Sequence, residues 1–312
     1  MMNLLSMNRT IRILSLFLLS LTVTLQAQWV PVNSLKPTSA KAVLVSNNPG
    51  SIVLRFEVEG FYKQAVATTQ GQAYVIRLDE ASQLLEAGAP DLPKLTASLN
   101  IHATDEMAVR VLSQQYTDYP QLPVAPSKGN LYRDTDPSTV PYSYGKAYTT
   151  PGLYPGYPAA LREPYILRDL RGQALVVYPF QYDALNQTLR VIHEMTVEVY
   201  STGNQGFNPL PQLGNQSLDR EYHALYASHF LNYSPSKYTP LDEHGKMLVI
   251  SHGSFMNEML PFVQWKNESG IPTEMVDVAT IGATSTAIKN FISNYYTTNG
   301  LTFVLLVGDA AQ

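Results

Sequence analysis

The hydrophobic pattern of the chain changes near residue 245, and no single fold class accommodates both patterns. Before that point, segments such as Ser51–Glu59 (SIVLRFEVE) alternate apolar and polar residues, which is the period of a half-buried strand. After it, Lys246–Ser251 and Leu301–Val307 are continuously apolar, which is typical of strands buried on both faces of a parallel sheet. The sequence therefore predicts two regions with different architectures.

From about residue 29 to residue 200 the sequence predicts a β-rich region. Turn-forming combinations such as Asn48-Pro49-Gly50 and Asp136-Pro137 separate the alternating segments. The further predicted strands are Ala73–Leu78, Met107–Leu112, Ala174–Phe180 and Leu189–Tyr200. Many short strands joined by such turns imply a sandwich or a barrel.

One stretch of this region, residues 142–158, is too rich in Tyr, Pro and Gly to form a helix. The favoured interpretation is a loop that packs on the sheet. The alternative is an aromatic surface that binds a sugar or a peptide.

The region after residue 245 predicts an α/β domain with the order βαβαβ, in which Thr273–Val278 is the middle strand. The predicted helix boundaries are Ser254 and Gly270 for the first helix, and Thr284 or Ser285 and Gly300 for the second. Strands joined through helices lie parallel, with right-handed crossovers. Because three strands leave an apolar edge exposed, we expect an incomplete domain, with the chain ending at Gln312 as a fragment or a truncated product.

The junction between the two regions is polar. Residues 201–216 are rich in Gly, Asn, Pro and Gln, which indicates a linker. A short helix is predicted at Asp219–Leu231, and polar sequence returns at Asn232–Gly245. The predicted linker region therefore spans residues 201–237.

The first 27 residues predict a signal peptide. Arg9 and Arg12 precede the apolar run Ile13–Val23, which is shorter than the ~20 residues of a membrane span. Cleavage after Ala27 is expected to release a secreted, extracellular protein without a membrane segment. The net charge of −4 argues against a nucleic-acid-binding protein, because phosphate binding needs a concentrated positive surface.

The 312 residues contain no cysteine, so they hold no disulfide, no thiolate metal site and no cysteine nucleophile. The histidines are scattered, and Asp277 and Asp309 are too few to argue for a cation site, so no metal ligand is assigned. Functional residues of open α/β sheets follow the carboxyl ends of strands. Asp309 is therefore the candidate at an active-site edge, whereas His252 is interpreted as a loop histidine.

Three lone basic residues lie in predicted loops, namely Lys128, Arg133 and Lys237. Lys237 stands in the polar junction, and exposed segments between domains are preferred sites of proteolytic nicking. Lys237 is therefore a candidate processing site for a protease that cleaves after Lys or Arg. The alternative is an ordinary solvated lysine.

The sequence from Tyr238 onward resembles the start of the catalytic domain of the gingipain-type cysteine peptidases. The matching motifs are YTPLDEHGKMLVIS, FVQWKNESGIPTEMV, IKNFISNYY and LTFVLLVGD. Upstream, three segments resemble the β-rich gingipain propeptide: GAPDLPKLTASLNI (88–101), PSKGNLYRDTDP (126–137) and LRDLRGQALVVYPFQYDALNQTLRV (167–191). Together they cover almost the whole exported chain.

The resemblance implies a secreted zymogen in three parts: a signal peptide at residues 1–27, a propeptide at 28–237, and the start of a caspase-like peptidase domain at 238–312. The propeptide would inhibit the peptidase and assist its folding. Lys237 aligns with the residue before the mature N-terminus, and Tyr238 with the new terminus. Lys128 or Arg133 would enter the specificity pocket as a pseudosubstrate, and the resemblance does not choose between them.

The resemblance also implies the chemistry and the partners. The peptidase would hydrolyse proteins after Lys or Arg without a cofactor, and its partners would be the propeptide, protein substrates and a processing protease, with no nucleic acid and no membrane. The family's catalytic Cys and His-Gly motif belong beyond residue 312, so these residues alone are expected to be inactive. His252-Gly253 imitates that motif but follows the wrong strand.

Two other functions remain open. The first is a stand-alone, propeptide-like inhibitor or an inactive pseudopeptidase with a vestigial half-domain. The second is an extracellular adhesive β protein that uses the Tyr-rich segment. The adhesive function leaves the residues after 238 unexplained and is the least favoured.

Overall fold

A computed structural model describes residues 27–210, 220–234 and 244–309. The chain divides into two compact units, with the boundary at Pro209 and Leu210. The predicted signal sequence at residues 1–26 lies outside the described residues. Within the described ranges, no helix is both long enough and apolar enough to cross a membrane.

The first unit is built from antiparallel strands, as the alternating pattern predicts. The strands are β1 (Gln28–Pro31), β2 (Lys41–Asn48), β3 (Ser51–Glu57), β4 (Gly60–Thr68), β5 (Gly71–Arg77), β6 (Ser82–Gln83), β7 (Pro93–Asn100), β8 (Asp105–Tyr119), β9 (Leu153–Tyr154), β10 (Ala159–Leu161), β11 (Tyr165–Leu167), β12 (Leu170–Val177), β13 (Phe180–Asp183) and β14 (Thr188–Gln205). Short 3-10 helices lie at Pro137–Thr139 and Lys146–Tyr148.

Strand β14 organises the largest antiparallel sheet. One edge of β14 pairs with β13 and then with β3, and its other edge pairs with β8. A second sheet has the order β10-β12-β7-β6, with β11 beside β12, and a third has the order β1-β4-β5. Because β14 is long, residues near its start and residues near its middle pack in different parts of the core.

The larger part of the core lies between the β14 sheet and the β7–β12 sheet. Leu54 on β3 and Val197 on β14 pack in one cluster with Leu99 on β7 and Leu175 on β12, and all four are fully buried. Sheets that pack face to face over alternating inward residues form a sandwich. Of the two predicted architectures, this region has the sandwich.

The second part of the core joins β4 and β5 to the start of β14. Phe61 on β4 is fully buried and packs edge-on against Tyr119 and Phe180, with ring centroids 5.4 and 5.6 Å away. Aromatic pairs in this geometry add about 0.5–1.5 kcal/mol beyond the burial of their area. The third sheet is therefore fixed to the sandwich by aromatic packing.

The Tyr-rich segment lies against the first unit, as the favoured interpretation predicts. The Tyr148 hydroxyl donates to the carbonyl oxygen of Val124 at 2.9 Å. Its ring packs edge-on against Tyr144 and Tyr182, with centroids 4.6 and 6.1 Å away. Burial raises the pKa of Tyr148 far above its usual value. These rings support the loop from within and do not form an open aromatic surface.

Residues 201–205 are strand, so this part of the predicted linker is wrong. β14 continues to Gln205 and pairs there with β8, Ser201 opposite Met107 and Gln205 opposite Asp105. Glycine and asparagine in this stretch indicated a flexible chain. The prediction fails because β8 satisfies the backbone hydrogen bonds of the stretch.

Arg171 on β12 holds the residues that follow β14. Its guanidinium donates to the backbone oxygens of Phe207 at 2.6 Å and Asn208 at 3.0 Å. It also donates to the backbone oxygens of His102 at 2.9 Å and Asp105 at 2.7 Å. The pKa of Arg171 lies below its usual value, because burial lowers it by more than the nearby Asp105 carboxylate raises it. One buried arginine therefore fixes the residues that follow β14 to the rest of the first unit.

The second unit contains the predicted βαβαβ order after one further helix. The elements are α1 (Arg220–His229), β15 (Met247–Ser251), α2 (Met256–Glu268), β16 (Thr273–Asp277), α3 (Val278–Ile281), α4 (Ser285–Asn299) and β17 (Phe303–Val307). β15 is central and pairs in parallel with β16 on one side and β17 on the other. The predicted parallel sheet is confirmed.

The helix-capping predictions are partly right. The Thr284 hydroxyl accepts a hydrogen bond from the backbone N–H of Ala287 at 3.2 Å, so Thr284 caps α4 as predicted. Ser254 does not cap α2, whose N-cap is Phe255, and the Ser254 N–H donates to Nδ1 of His252 at 3.3 Å. The chain first makes a 3-10 turn at residues 253–255, and α2 begins at Met256.

Candidate functional site

The carboxyl edge of the parallel sheet brings together the strand-end residues that the sequence singled out. His252 follows β15, Asp277 ends β16, and Asp309 lies two residues after β17. The backbone N–H of His252 donates to the carbonyl oxygen of Val307 at 2.9 Å. Because β16 and β17 lie on opposite sides of β15, this edge contains a topological switch point, where open α/β sheets bind ligands.

Two of these side chains have structural tasks. His252 Nδ1 accepts the N–H of Ser254, and Asp277 Oδ1 accepts the N–H of Ala279 at 2.9 Å, which begins α3. Asp309 is exposed, and its role at an active-site edge stays a prediction. In the part of the chain that the structure describes, no group of three or more His, Asp or Glu side chains could hold a metal ion.

A second candidate site is the segment 127–142 of the first unit, which we name the 127–142 loop. Its base is held by backbone hydrogen bonds from Ser127 to Ala89 at 2.7 Å and from Gly88 to Ser127 at 2.9 Å. Gly145 donates to Gly88 at 2.8 Å, and a Cβ on Gly145 would lie only 3.0 Å from that carbonyl oxygen. Because neither glycine carries a Cβ, the two chain segments at the base of the loop can approach closely.

Lys128 is partly buried and makes contacts at the base of the loop. Its Nζ donates to the carbonyl oxygen of Pro137 at 2.7 Å and lies 4.3 Å from the centre of the Tyr142 ring. Next to it, Asp136 Oδ1 accepts the N–H of Ser138 at 2.8 Å. Hydrogen bonds from Ser138, with a smaller contribution from the Lys128 charge, hold the pKa of Asp136 below its usual value. Lys128 thus joins the two ends of the loop.

Arg133 lies at the tip of the same loop. It is exposed, and its neighbour Tyr132 is 84% exposed. Among the residues that the structure describes, none forms a hydrogen bond, ion pair or ring contact with the Arg133 guanidinium. The N–H of Thr135 donates to the carbonyl oxygen of Tyr132 at 3.1 Å, so the tip is a hydrogen-bonded turn.

The predicted processing residues, Lys237 and Tyr238, lie outside the described residues. The segments on either side of them meet within the second unit. Glu221 of α1 accepts hydrogen bonds from the imidazole of His244 and from the N–H of Gly245, the latter at 3.1 Å. Burial raises the pKa of Glu221, but these hydrogen bonds outweigh it, so the pKa lies below its usual value.

Comparison with protein families gives an independent view of both regions. The family described as Propeptide_C25 matches residues 35–230, and Peptidase family C25 matches residues 240–312. The first match alone covers more than half of the chain. The chain belongs to the C25 propeptide family. It is a gingipain-type precursor sequence, in which a C25 propeptide precedes the start of a C25 peptidase domain.

Individual relatives agree with this assignment. Gingipain R1 of Porphyromonas gingivalis is 37% identical over 273 residues, which are 86% of this chain and 27% of that protein. Lys-gingipain of the same organism is 26% identical over 270 residues, which are 78% of this chain and 15% of that protein. The chain therefore spans 27% of the length of the first relative.

A solved structure resembles a large part of this chain. It is the complex of the pro- and mature domains of RgpB from Porphyromonas gingivalis. The match has a TM-score of 0.57 and 33% identity, and it covers 62% of this chain and 98% of that chain. The β-rich fold of the C25 propeptide is thereby confirmed for this sequence.

Sequence reasoning missed three residues that shape these regions. Arg171 stands in a strand whose other residues, except Gln173, are apolar or glycine, which signals a buried charge with satisfied partners. Glu221 and His244 carry no such signal, because their pairing depends on the path of the chain between them. Their contacts come from tertiary structure alone.

Proposed function

We propose that this chain is the N-terminal part of a secreted C25 zymogen, whose propeptide inhibits an arginine-specific peptidase through Arg133. The observation that carries the proposal is the contrast between the two basic residues of the 127–142 loop. Arg133 projects from the tip without a partner among the described residues, whereas Lys128 is bound at the base.

The geometry of the loop suits insertion into a specificity pocket. A pocket that selects a basic side chain needs a guanidinium or an ammonium that is free to enter it. Withdrawing Lys128 would break its hydrogen bond to Pro137 and its contact with Tyr142, whereas Arg133 gives up no internal contact. A preorganised loop also lowers the entropy cost of binding.

The comparisons support an arginine-specific partner. The chain is 37% identical to Gingipain R1 and 26% identical to Lys-gingipain. The solved structure that this chain resembles is a complex of a propeptide with a mature domain. An arginine at the tip of the loop matches an arginine-specific pocket, because the planar guanidinium binds a carboxylate through two hydrogen bonds.

Maturation follows from the same proposal. The signal peptide at residues 1–27 directs export, and cleavage after Lys237 frees Tyr238 as the new N-terminus of the peptidase domain. The two family matches end at residue 230 and begin at residue 240, which supports a boundary between them. Because residue 237 is a lysine, the processing protease is expected to cleave after lysine.

Inhibition of mature Gingipain R1 by residues 28–312 of the chain tests the proposal. We expect Arg133→Ala to raise the inhibition constant at least ~100-fold, which corresponds to about 3 kcal/mol of lost binding. Lys128→Ala is the matched control, and we expect a loss of at most ~10-fold because the tip keeps its arginine. Thermal unfolding of each variant shows whether the fold is intact.

Two outcomes would contradict the proposal. Equal inhibition by the native chain and Arg133→Ala would remove Arg133 from the pocket. Loss of inhibition in Lys128→Ala with full inhibition in Arg133→Ala would assign the pocket to Lys128 instead.

A further inference from the structure

A leucine close to the base of the 127–142 loop has an unfavourable backbone conformation. Leu85 has a φ of 56°, which lies in the left-handed region, and its side chain is 46% exposed. Left-handed backbone is costly for residues with a bulky side chain and is tolerated best by glycine and asparagine. Because almost half of the leucine side chain is exposed, packing within the first unit compensates little for this cost.

The neighbours of Leu85 hold this conformation in place. The N–H of Leu84 donates to the carbonyl oxygen of Leu92 at 3.0 Å. On the other side, the Glu86 carboxylate accepts a hydrogen bond from the Tyr154 hydroxyl at 2.7 Å. Strained backbone persists where the surrounding structure fixes it, and such positions are concentrated at functional sites and ligand contacts. The strain at Leu85 therefore points to a contact outside the first unit.

The segment that carries Leu85 lies directly against the base of the 127–142 loop. A Cβ on Gly129 would lie 3.0 Å from the Cβ of Ala87. The N–H of Gly88 donates to the carbonyl oxygen of Ser127 at 2.9 Å. Leu85 is two residues from Ala87, and two residues span at most about 7 Å. Leu85 is therefore among the residues nearest to the loop that do not belong to it.

The size of a stable interface favours a contact beyond the tip of the loop. Such an interface takes about 20–30 residues from each partner and is about 30 Å across, whereas the tip around Arg133 supplies only a few residues. Arg133 is four residues from Gly129 along the chain. The path from Arg133 to Leu85 through this contact is therefore at most roughly 25 Å, which lies within one interface.

We propose, on the basis of the proposed function, that Leu85 is a second anchor of the propeptide and packs on apolar surface of the peptidase beside its specificity pocket. A side chain whose backbone is already fixed loses little conformational entropy on binding. Arg133 supplies the recognition of charge inside the pocket. Leu85 supplies the burial of apolar area outside it, which compensates for the strain of its backbone.

The test measures inhibition of mature Gingipain R1 by residues 28–312 of the chain and compares Leu85→Asn with Leu112→Asn. Asparagine tolerates the left-handed conformation, so Leu85→Asn removes the apolar side chain and keeps the backbone. Leu112 on β8 is 50% exposed and is the matched control, because it receives the same substitution at a similar exposure. Thermal unfolding shows whether each variant is folded.

We expect Leu85→Asn to raise the inhibition constant at least ~10-fold without lowering the melting temperature, because one leucine side chain is withdrawn from the interface. Leu112→Asn should inhibit like the native chain. Leu85→Met keeps an apolar side chain of similar volume and should weaken inhibition less than ~3-fold. Leu85→Gly replaces the asparagine variant if that variant fails to fold, since glycine accepts a positive φ.

Two outcomes would overturn the proposal. The first is equal inhibition by the native chain and Leu85→Asn. The second is a loss in Leu85→Met as large as that in Leu85→Asn, because an apolar contact would then not explain either effect.

The variants of the two anchors separate this proposal from the proposed function. If Arg133→Ala inhibits as well as the native chain but Leu85→Asn does not, the assignment of Arg133 to the pocket fails and the second anchor stands. If inhibition depends on Arg133 but is unchanged in Leu85→Asn, only the second anchor fails.

Discussion

Two arginines of the first unit have opposite surroundings. Arg171 is 1% exposed, and its guanidinium donates to four backbone carbonyl oxygens. Arg133 is exposed at the tip of the 127–142 loop, where no described residue accepts a hydrogen bond from it. The same side chain is thus an internal support at one position and is available to a partner at the other.

The difference shows how a charged residue should be interpreted in a propeptide. A buried cation is retained when acceptors surround it, and its removal leaves those acceptors unsatisfied. An exposed cation without a partner adds little to stability. We therefore expect substitutions of Arg171 to change folding and substitutions at the loop to change inhibition.

The largest effect is expected for Arg171→Met, which removes the donor of four carbonyl oxygens. The free energy of unfolding should fall by about 3 kcal/mol, as measured by urea denaturation. Arg110→Met is the matched control, since Arg110 pairs with Glu198 at the surface and should cost less than about 1 kcal/mol. Equal losses in the two variants would contradict the assigned role of Arg171.

A smaller effect is expected for Arg133→Lys, which keeps the charge but loses the planar fork. Inhibition of Gingipain R1 should weaken about 30-fold, or about 2 kcal/mol, while inhibition of Lys-gingipain improves. Unfolding by urea should be unchanged, in contrast to Arg171→Met. If the preference between the two enzymes does not move, residue 133 does not occupy the specificity pocket.

The smallest effect is expected for Tyr142→Leu, which removes the ring beneath the Lys128 ammonium. A contact of this kind contributes about 1 kcal/mol, so we expect inhibition to weaken roughly fivefold because the base of the loop loosens. Tyr142→Phe retains the ring and should inhibit like the native chain. A loss of the same size in both variants would assign the effect to the hydroxyl.

Much of the fold followed from local sequence patterns. The alternation in Ser51–Glu59 correctly predicted β3, although the strand ends at Glu57. The continuous apolar run at Leu301–Val307 correctly predicted β17, which begins at Phe303. The first prediction succeeds because a strand with one buried face needs period two. Burial on both faces, which the continuous apolar runs predicted, holds for β15 but not for β17, where Val304 and Leu306 are 42% and 59% exposed.

The predictions that failed depended on distant partners. Residues 201–205 have the composition of a linker, yet β8 holds them as strand from almost a hundred residues upstream. Ser254 is a suitable capping residue, but a 3-10 turn capped by His252 precedes α2, whose own N-cap is Phe255. Composition and propensity report local preference, and tertiary pairing overrides it where it satisfies the backbone.

The fold class of each region could be predicted from its local sequence pattern, because hydrophobic periodicity distinguishes the half-buried strands of a sandwich from the strands and helices of an α/β domain. The choice between Lys128 and Arg133 was not predictable in this way, since both are lone basic residues five positions apart in the same loop. It required the folded positions of Pro137 and Tyr142, which return to contact Lys128 and leave Arg133 at the tip. Which charge is available to a partner depends on the acceptors that surround it, and only the folded chain brings those acceptors together.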